Sequence, residues 1–199
     1  MSKKRVMIKV WLGLILCSSA MSASLLTQNN EQELALLLAS KSERQKAIAF
    51  VAASRTSRVP LLLSLAKAVP PNVDEHELQV GLADAFGALK VTEAIPFLLR
   101  HIALRREALV DLRPWLKTAD VIELSFPSVT ALISIGPDAS VAAMRAYDQA
   151  TTPEERLAIV FVVSRIGGVP AAKPFLSHVV GRADLERYFA QEGLKALIK

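Results

Sequence analysis

A serine and a lysine one helical turn apart, Ser64 and Lys67, have the spacing in this chain that best fits catalysis. In serine acyl-enzymes related to β-lactamases, an S-x-x-K motif allows the lysine to accept the serine proton. Lys117-Thr118-Ala119 half-matches their K-T-G element, but S-D-N is missing. The 16 serines and 11 lysines give about one such match by chance. We therefore predict that the protein is not an enzyme, with a serine acyl-enzyme as the alternative.

The three histidines, His76, His101 and His178, lie far apart in the sequence. None belongs to an H-E-x-x-H motif or another close pair of metal ligands. His76 lies among acidic residues that are typical of a solvated first turn of a helix. We therefore predict neither a metal site nor a small-molecule cofactor.

The first 23 residues have the order of a secretory signal peptide. An apolar run, Val10 to Leu16, follows a cationic stretch and precedes small residues such as Ala20 and Ala23. The cationic residues are Lys3, Lys4, Arg5 and Lys9. We predict cleavage between Ala20 and Ser24 and a periplasmic or secreted mature protein, with an uncleaved membrane anchor as the alternative.

Cys17 is the single cysteine, and Leu14-Ile15-Leu16-Cys17 resembles the bacterial lipobox. Leu16 stands where that motif has a small residue, so a lipoprotein is the minor alternative to simple cleavage. Removal of the leader would leave no cysteine for a disulfide, and the fold would depend on packing.

The formal net charge is +5 and the pI is near 9.5. Four of these five charges lie in the leader, which leaves +1 for residues 24–199. A charge of +1 does not indicate the basic surface that nucleic-acid binding requires, so the predicted partner is another protein.

The elements that position these residues follow a recurring pattern. Pro60, Pro96 and Pro174 each stand in a short apolar helix start, and Ala142 takes the same position in a fourth window. The intervals of 36, 46 and 32 residues are typical of arrays of helix pairs. We therefore predict an all-α fold in residues 42–199, preceded by a polar linker and capping helix in residues 24–41.

Four helix pairs and a closing helix account for this region. The prolines are expected near helix starts, and Gly136 and Gly168 in turns that need a positive φ. Thr152 and Glu155 fit a capping box. The predicted helices are 42–53 with 59–68, 73–89 with 93–104, 126–135 with 138–147, 153–166 with 170–180, and 183–198.

The segment Ala85-Phe86-Gly87-Ala88-Leu89-Lys90-Val91-Thr92-Glu93-Ala94-Ile95-Pro96-Phe97-Leu98-Leu99 resembles a HEAT-type repeat of the short bacterial kind, also found in phycobilisome lyases. Residues 132–144 and 163–176 resemble it less closely, and residues 52–63 least. The usual turn glycine is replaced by Ser54 and Lys90. The resemblance implies a right-handed α-solenoid of four to five helix pairs that binds macromolecules, and it does not imply lyase chemistry.

In HEAT-like stacks the second helix of each pair usually lines the concave face. Polar side chains near the fourth position after each anchor would then form a mildly basic ridge, or an ordinary solvated helix face. The predicted binding residues are Ser64, Lys67, Arg100, Arg145 and His178. An insertion at about residues 105–124 contains Trp115, either as an interface anchor or as a packed side chain. We therefore expect a non-catalytic adaptor in the cell envelope.

Overall fold

The computed structural model describes residues 30–106, 119–181 and 184–197, and within these ranges every regular element is helical. The prediction of an all-α fold is therefore confirmed. The leader, Cys17 and Trp115 lie outside the described residues, as does most of the predicted insertion. The helices are α1 (30–39), α2 (Arg44–Ala53), α3 (Arg55–Leu65), α4 (Glu75–Leu89), α5 (Ile95–Arg100), α6 (Ala119–Ser125), α7 (Pro127–Ile135), α8 (Pro137–Ala146), α9 (Pro153–Ile166), α10 (Ala172–Val180) and α11 (Asp184–Ala196).

The helices pack in a regular order along the chain. One series of contacts joins α2 to α4, α4 to α7, α7 to α9, and α9 to α11. A second series joins α5 to α8 and α8 to α10. Helix α3 packs against α2, and α6 packs against α7.

The core is a continuous layer of aliphatic and phenylalanine side chains between these helices. Helix α9 is buried on all sides from Leu157 to Val163, as the uninterrupted apolar run predicts. Phe86 of α4 meets Phe97 of α5 edge to face, with the ring centroids 5.6 Å apart. This packing fixes α5 against its partner helix.

Two glycines permit unusually close contacts between helices. A Cβ atom on Gly81 of α4 would lie 2.3 Å from the carbonyl oxygen of Leu38 in α1. A Cβ atom on Gly193 of α11 would lie 2.6 Å from the Cβ atom of Ser164 in α9. Both distances are below van der Waals contact, so a larger residue at either position would push the helices apart.

Local chemistry sets several helix ends as predicted. Thr152 and Glu155 form the complete capping box at the start of α9. Gly136 (φ 93°) and Gly168 (φ 68°) lie in turns with a positive φ. Lys90 also has a positive φ, of 50°, and lies in the left-handed helical region although it carries a side chain.

The predicted position of Pro60 near a helix start is wrong, because Pro60 is the sixth residue of α3. The helix begins at Arg55, where the Ser54 carbonyl accepts a hydrogen bond from the Arg58 amide at 3.1 Å. The chain between α2 and α3 is therefore only one residue long. Pro60 has no amide hydrogen to donate within the helix.

Two other helices are shorter than predicted. In place of the helix predicted at residues 93–104, a 3-10 turn, Thr92–Ala94, precedes α5, which ends at Arg100. Helix α5 stops there because the backbone of His101 leaves the helical region. Helix α10 begins at Ala172 rather than at Pro170.

Candidate binding surface

Ser64 and Lys67 lie where α3 ends. The Ser64 side chain is half-buried, and Lys67 is exposed in the turn that follows the helix. Their link is between backbone atoms, with the Lys67 amide donating to the Ser64 carbonyl at 2.9 Å. Within the described part of the chain, no hydrogen bond joins the Ser64 hydroxyl to the Lys67 ammonium.

The other three predicted binding residues lie on three neighbouring helices, of which the middle one contacts the other two. Arg100, Arg145 and His178 belong to the last turns of α5, α8 and α10, and all three side chains are exposed. Helix α8 packs against both α5 and α10. We call these three residues the cationic edge. The charges of Arg100 and Arg145 are also favourable to their own helices, because they face the negative end of the helix dipole.

A cleft of about 390 Å³ separates α5 from the end of α8 and the start of α9. Its floor contains Ile102 and Ile159, which are both buried, and Arg100 stands at its exposed rim. We call it the α5–α8 cleft. The residues that line it are Pro96, Leu99, Arg100, Ile102, Ala146, Gln149, Ala150, Thr151, Glu155 and Ile159.

Glu155 is the acidic residue of this cleft, and it is held by the capping box. Its Oε2 atom accepts hydrogen bonds from the Thr151 and Thr152 amides at 2.7 and 3.1 Å. These bonds, that of Thr152 foremost, lower the pKa of Glu155 below its ordinary value of 4.5. The carboxylate therefore stays ionised and directed toward the first turn of α9.

Arg100 makes no ion pair with any of the residues that the structure describes. Its neighbour His101 is half-buried, with its ring centroid 4.6 Å from that of Phe97. Burial, and secondarily the charge of Arg100, lowers the pKa of His101 below its ordinary value. His101 is therefore neutral at pH 7, and the positive charge at the rim of the cleft comes from Arg100.

Sequence reasoning missed a buried ionic cluster that joins α2 to α4. The Arg44 guanidinium donates to the Leu38 carbonyl and to Glu77 Oε2, both at 2.8 Å, and it lies 3.6 Å from Asp84. Arg106 also pairs with Asp84, which raises the pKa of Arg106. One signal was available in the sequence: Arg44, Ala47, Ile48 and Val51 have the spacing of an apolar helix face, and all four are buried.

A second buried charged residue, also missed, is an acid near the C-terminus of the chain. Glu186 of α11 accepts a hydrogen bond from the Tyr147 hydroxyl and lies 3.5 Å from the Arg156 guanidinium. The Tyr147 ring in turn packs edge to face on Phe175 of α10. This cluster joins the end of α8 to α9, α10 and α11.

A larger groove of about 570 Å³ lies among α1, α2 and α3. Leu34, Leu37 and Leu61 contribute to its apolar surface. Phe50 is 53% exposed at this groove, and the Arg58 guanidinium lies over its ring, 3.3 Å from the centroid. The groove carries both acidic and basic residues, so no single charge dominates it.

Two further properties bear on function. Among the described residues, no three His, Cys, Asp or Glu side chains are grouped so that they could hold a metal ion. Within the same ranges, no helix combines the length and the hydrophobicity needed to cross a membrane.

No model of a known protein family matches this chain, and neither a curated protein nor a solved structure shows detectable similarity to it.

Proposed function

We propose that this chain is a HEAT-like α-solenoid that acts without catalysis as a protein-binding adaptor in the bacterial cell envelope. The observation that carries the proposal is the order of helix contacts. The first helices of the pairs contact one another in series (α2, α4, α7, α9), and so do the second helices of the last three pairs (α5, α8, α10). Contacts between successive neighbours are what a stack of helix pairs requires.

The cationic edge supports a binding role for the second series of helices. Arg100, Arg145 and His178 are exposed near the carboxyl ends of α5, α8 and α10. The end of α5 and the end of α8 line the same cleft, which places these two ends side by side. A partner that lies across the second series would therefore meet the cationic edge and the α5–α8 cleft together.

Affinity capture tests this proposal. The full-length chain, with a C-terminal tag, would be expressed in its own organism and recovered from the cell envelope with its bound proteins. We expect a protein that is retained by the native chain and lost from the Arg100→Ala/Arg145→Ala/His178→Ala variant. Far-UV circular dichroism of the two chains should be identical, because all three side chains are exposed.

A matched control removes the same formal charge elsewhere. Arg55 and Lys173 are exposed cations on α3 and the first turn of α10. The Arg55→Ala/Lys173→Ala variant should retain the partner. Equal loss from both variants would indicate unspecific attraction to positive charge, and retention by both would remove the cationic edge from the proposal.

The location in the envelope rests on the leader and has its own measurement. We expect the intact mass of the exported protein to correspond to cleavage between Ala20 and Ser24. A mass that corresponds to an acylated Cys17 at the N-terminus would instead establish the lipoprotein, and an uncleaved chain would establish a membrane-anchored scaffold.

A further inference from the structure

The α5–α8 cleft combines an apolar lining with one exposed cation. The isoleucines at its floor are almost fully buried, so the apolar surface that a ligand can reach comes from Pro96, Leu99 and Ala146. Arg100 lies on the α5 wall, and its side chain has no ionic partner within the described ranges. A guanidinium in this position presents several N–H donors in a planar fork that matches a carboxylate.

The opposite wall has a different electrostatic character. Glu155 lies on the α9 side of the cleft, where three hydrogen bonds to its Oε2 atom, from the Thr151 amide, the Thr151 hydroxyl and the Thr152 amide, hold it against the start of the helix. Its carboxylate repels a second acid from that wall. An acidic group that enters the cleft is therefore directed toward Arg100.

The size of the cleft limits what can enter. A volume of about 390 Å³ is near the lower end of the range for small-ligand pockets, about 300–1,000 Å³. This space fits one or two aliphatic side chains together with a neighbouring polar group. It is too small for a folded domain or a complete helix.

We infer that the α5–α8 cleft binds a short segment of a partner protein in which an aspartate or glutamate stands next to an aliphatic residue. The carboxylate pairs with Arg100, and the aliphatic side chain packs on Pro96, Leu99 and Ala146. The inference rests on the proposed function, because it names the chemistry of the partner that the adaptor would hold.

The probe is acetyl-Leu-Glu-Leu-amide, added to the isotopically labelled protein produced from the full-length chain. We expect chemical-shift changes at the backbone amides of Ala146, Ala150 and Thr151, which line the cleft. The control peptide acetyl-Leu-Gln-Leu-amide has the same shape without the charge. Its binding should be weaker by up to about fivefold, because it loses an ion pair with Arg100, which is exposed and therefore screened by water.

Variants of the rim test the role of Arg100. Arg100→Ala should weaken binding of the glutamate peptide by up to about fivefold, and Arg100→Lys should retain part of the affinity. Arg100→Glu should prefer acetyl-Leu-Lys-Leu-amide over the glutamate peptide. Lys173→Ala, an exposed cation away from the cleft, should leave all affinities unchanged.

The inference is overturned if the glutamine peptide binds as well as the glutamate peptide, if Arg100→Glu has no effect, or if shift changes occur in the groove among α1, α2 and α3 instead. Failure here is distinct from failure of the adaptor role. Envelope capture that depends on the cationic edge, without binding of these peptides, would leave the adaptor and exclude the acidic–aliphatic segment. Peptide binding without any captured protein would leave the preference of the cleft for an acidic–aliphatic segment and would exclude the adaptor role.

Discussion

The first two helix pairs (α2/α3 and α4/α5) and the later two (α7/α8 and α9/α10) are positioned by different interactions. In the first two, charged groups reach across helices, and the buried Arg44 contacts α1 and α4. The later two also contain a buried charge, Glu186, which faces Tyr147 and Arg156, but their turns contain glycine and the seven residues from Leu157 to Val163 are all buried. The same stacking of helix pairs is therefore stabilised in one region largely by ionic contacts between helices and in the other largely by apolar packing.

The difference also appears in the turns inside the pairs. Gly136 follows α7, and Gly167 and Gly168 follow α9, all with a positive φ. The corresponding turns of the earlier pairs contain Ser54 and Lys90. A buried charged side chain needs an oppositely charged or hydrogen-bonding partner at a defined position, whereas an aliphatic layer tolerates another aliphatic side chain of similar volume. We therefore expect substitutions of polar groups to be most damaging in the first two pairs.

The largest effect is expected from Arg44→Ala. The Arg44 side chain is buried, and its removal leaves Glu77 without its nearest partner and removes a donor to the Leu38 carbonyl. The free energy of unfolding should fall by about 3 kcal/mol or more, measured by urea denaturation.

Lys46→Ala is the matched control on the same helix. Lys46 pairs with Glu43 at the surface, and its side chain is 77% exposed. Its replacement should change stability by less than about 0.5 kcal/mol. If both variants are equally stable, the buried cluster does not position the first pairs.

A smaller loss is expected from Glu186→Gln near the C-terminus. The amide keeps the size of the side chain and can accept a hydrogen bond from Tyr147, but it loses the charge that faces Arg156. We expect a loss of about 1 to 2 kcal/mol in the same denaturation experiment. Glu192→Gln is the exposed control on α11, and it should be nearly neutral. A loss as large as that of Arg44→Ala would contradict the contrast between the two regions.

How far the sequence predicts this molecule depends on the distance over which each interaction acts. The capping box of α9 and the glycine turns involve residues within one helical turn, so composition and spacing are sufficient to predict them. The cluster around Arg44 joins residues 33 positions apart, and the α5–α8 cleft depends on which helices pack together. The spacing of residues along the chain does not show which distant helices pack together, although an arginine on an apolar helix face was a usable sign.

Pro60 illustrates a different failure of prediction. The proline suggested a helix start, but the packing of α3 against α2 maintains a helix that begins five residues earlier. Tertiary contacts therefore outweigh a local signal in the first pair. The same signal is correct at Pro96, which lies at the start of α5.

The capping box gives a third, smaller effect and a test of pH dependence. Thr152→Ala should lower stability by about 1 kcal/mol, because the Glu155 amide loses the threonine hydroxyl as its acceptor. Glu155→Gln should also destabilise the protein at pH 7, because it removes the ionised acceptor of the Thr151 and Thr152 amides.

The sign of the pH effect follows from the lowered pKa of Glu155. A carboxyl with a lowered pKa in the folded state stabilises the fold above its ordinary pKa, and that contribution disappears as the pH falls through the folded-state value. The difference in melting temperature between the native protein and Glu155→Gln should therefore be constant near pH 7 and shrink below pH 4.5. A difference that grows in acid would contradict this assignment.

The smallest effect has the opposite sign and bears most directly on the comparison. Lys90 ends α4 with a φ of 50°, and the next residue, Val91, donates its amide to the Phe86 carbonyl at 3.0 Å. This is the turn in which glycine is preferred, because a side chain adds strain at positive φ. Lys90→Gly should therefore stabilise the protein by about 0.5 to 1 kcal/mol, with a higher midpoint in urea. The reverse change, Gly136→Lys, should destabilise it, although nothing lies within 4 Å of the Cβ position. If both changes are neutral, backbone strain does not distinguish the turns of the two regions, and the contrast between them rests on the buried charges alone.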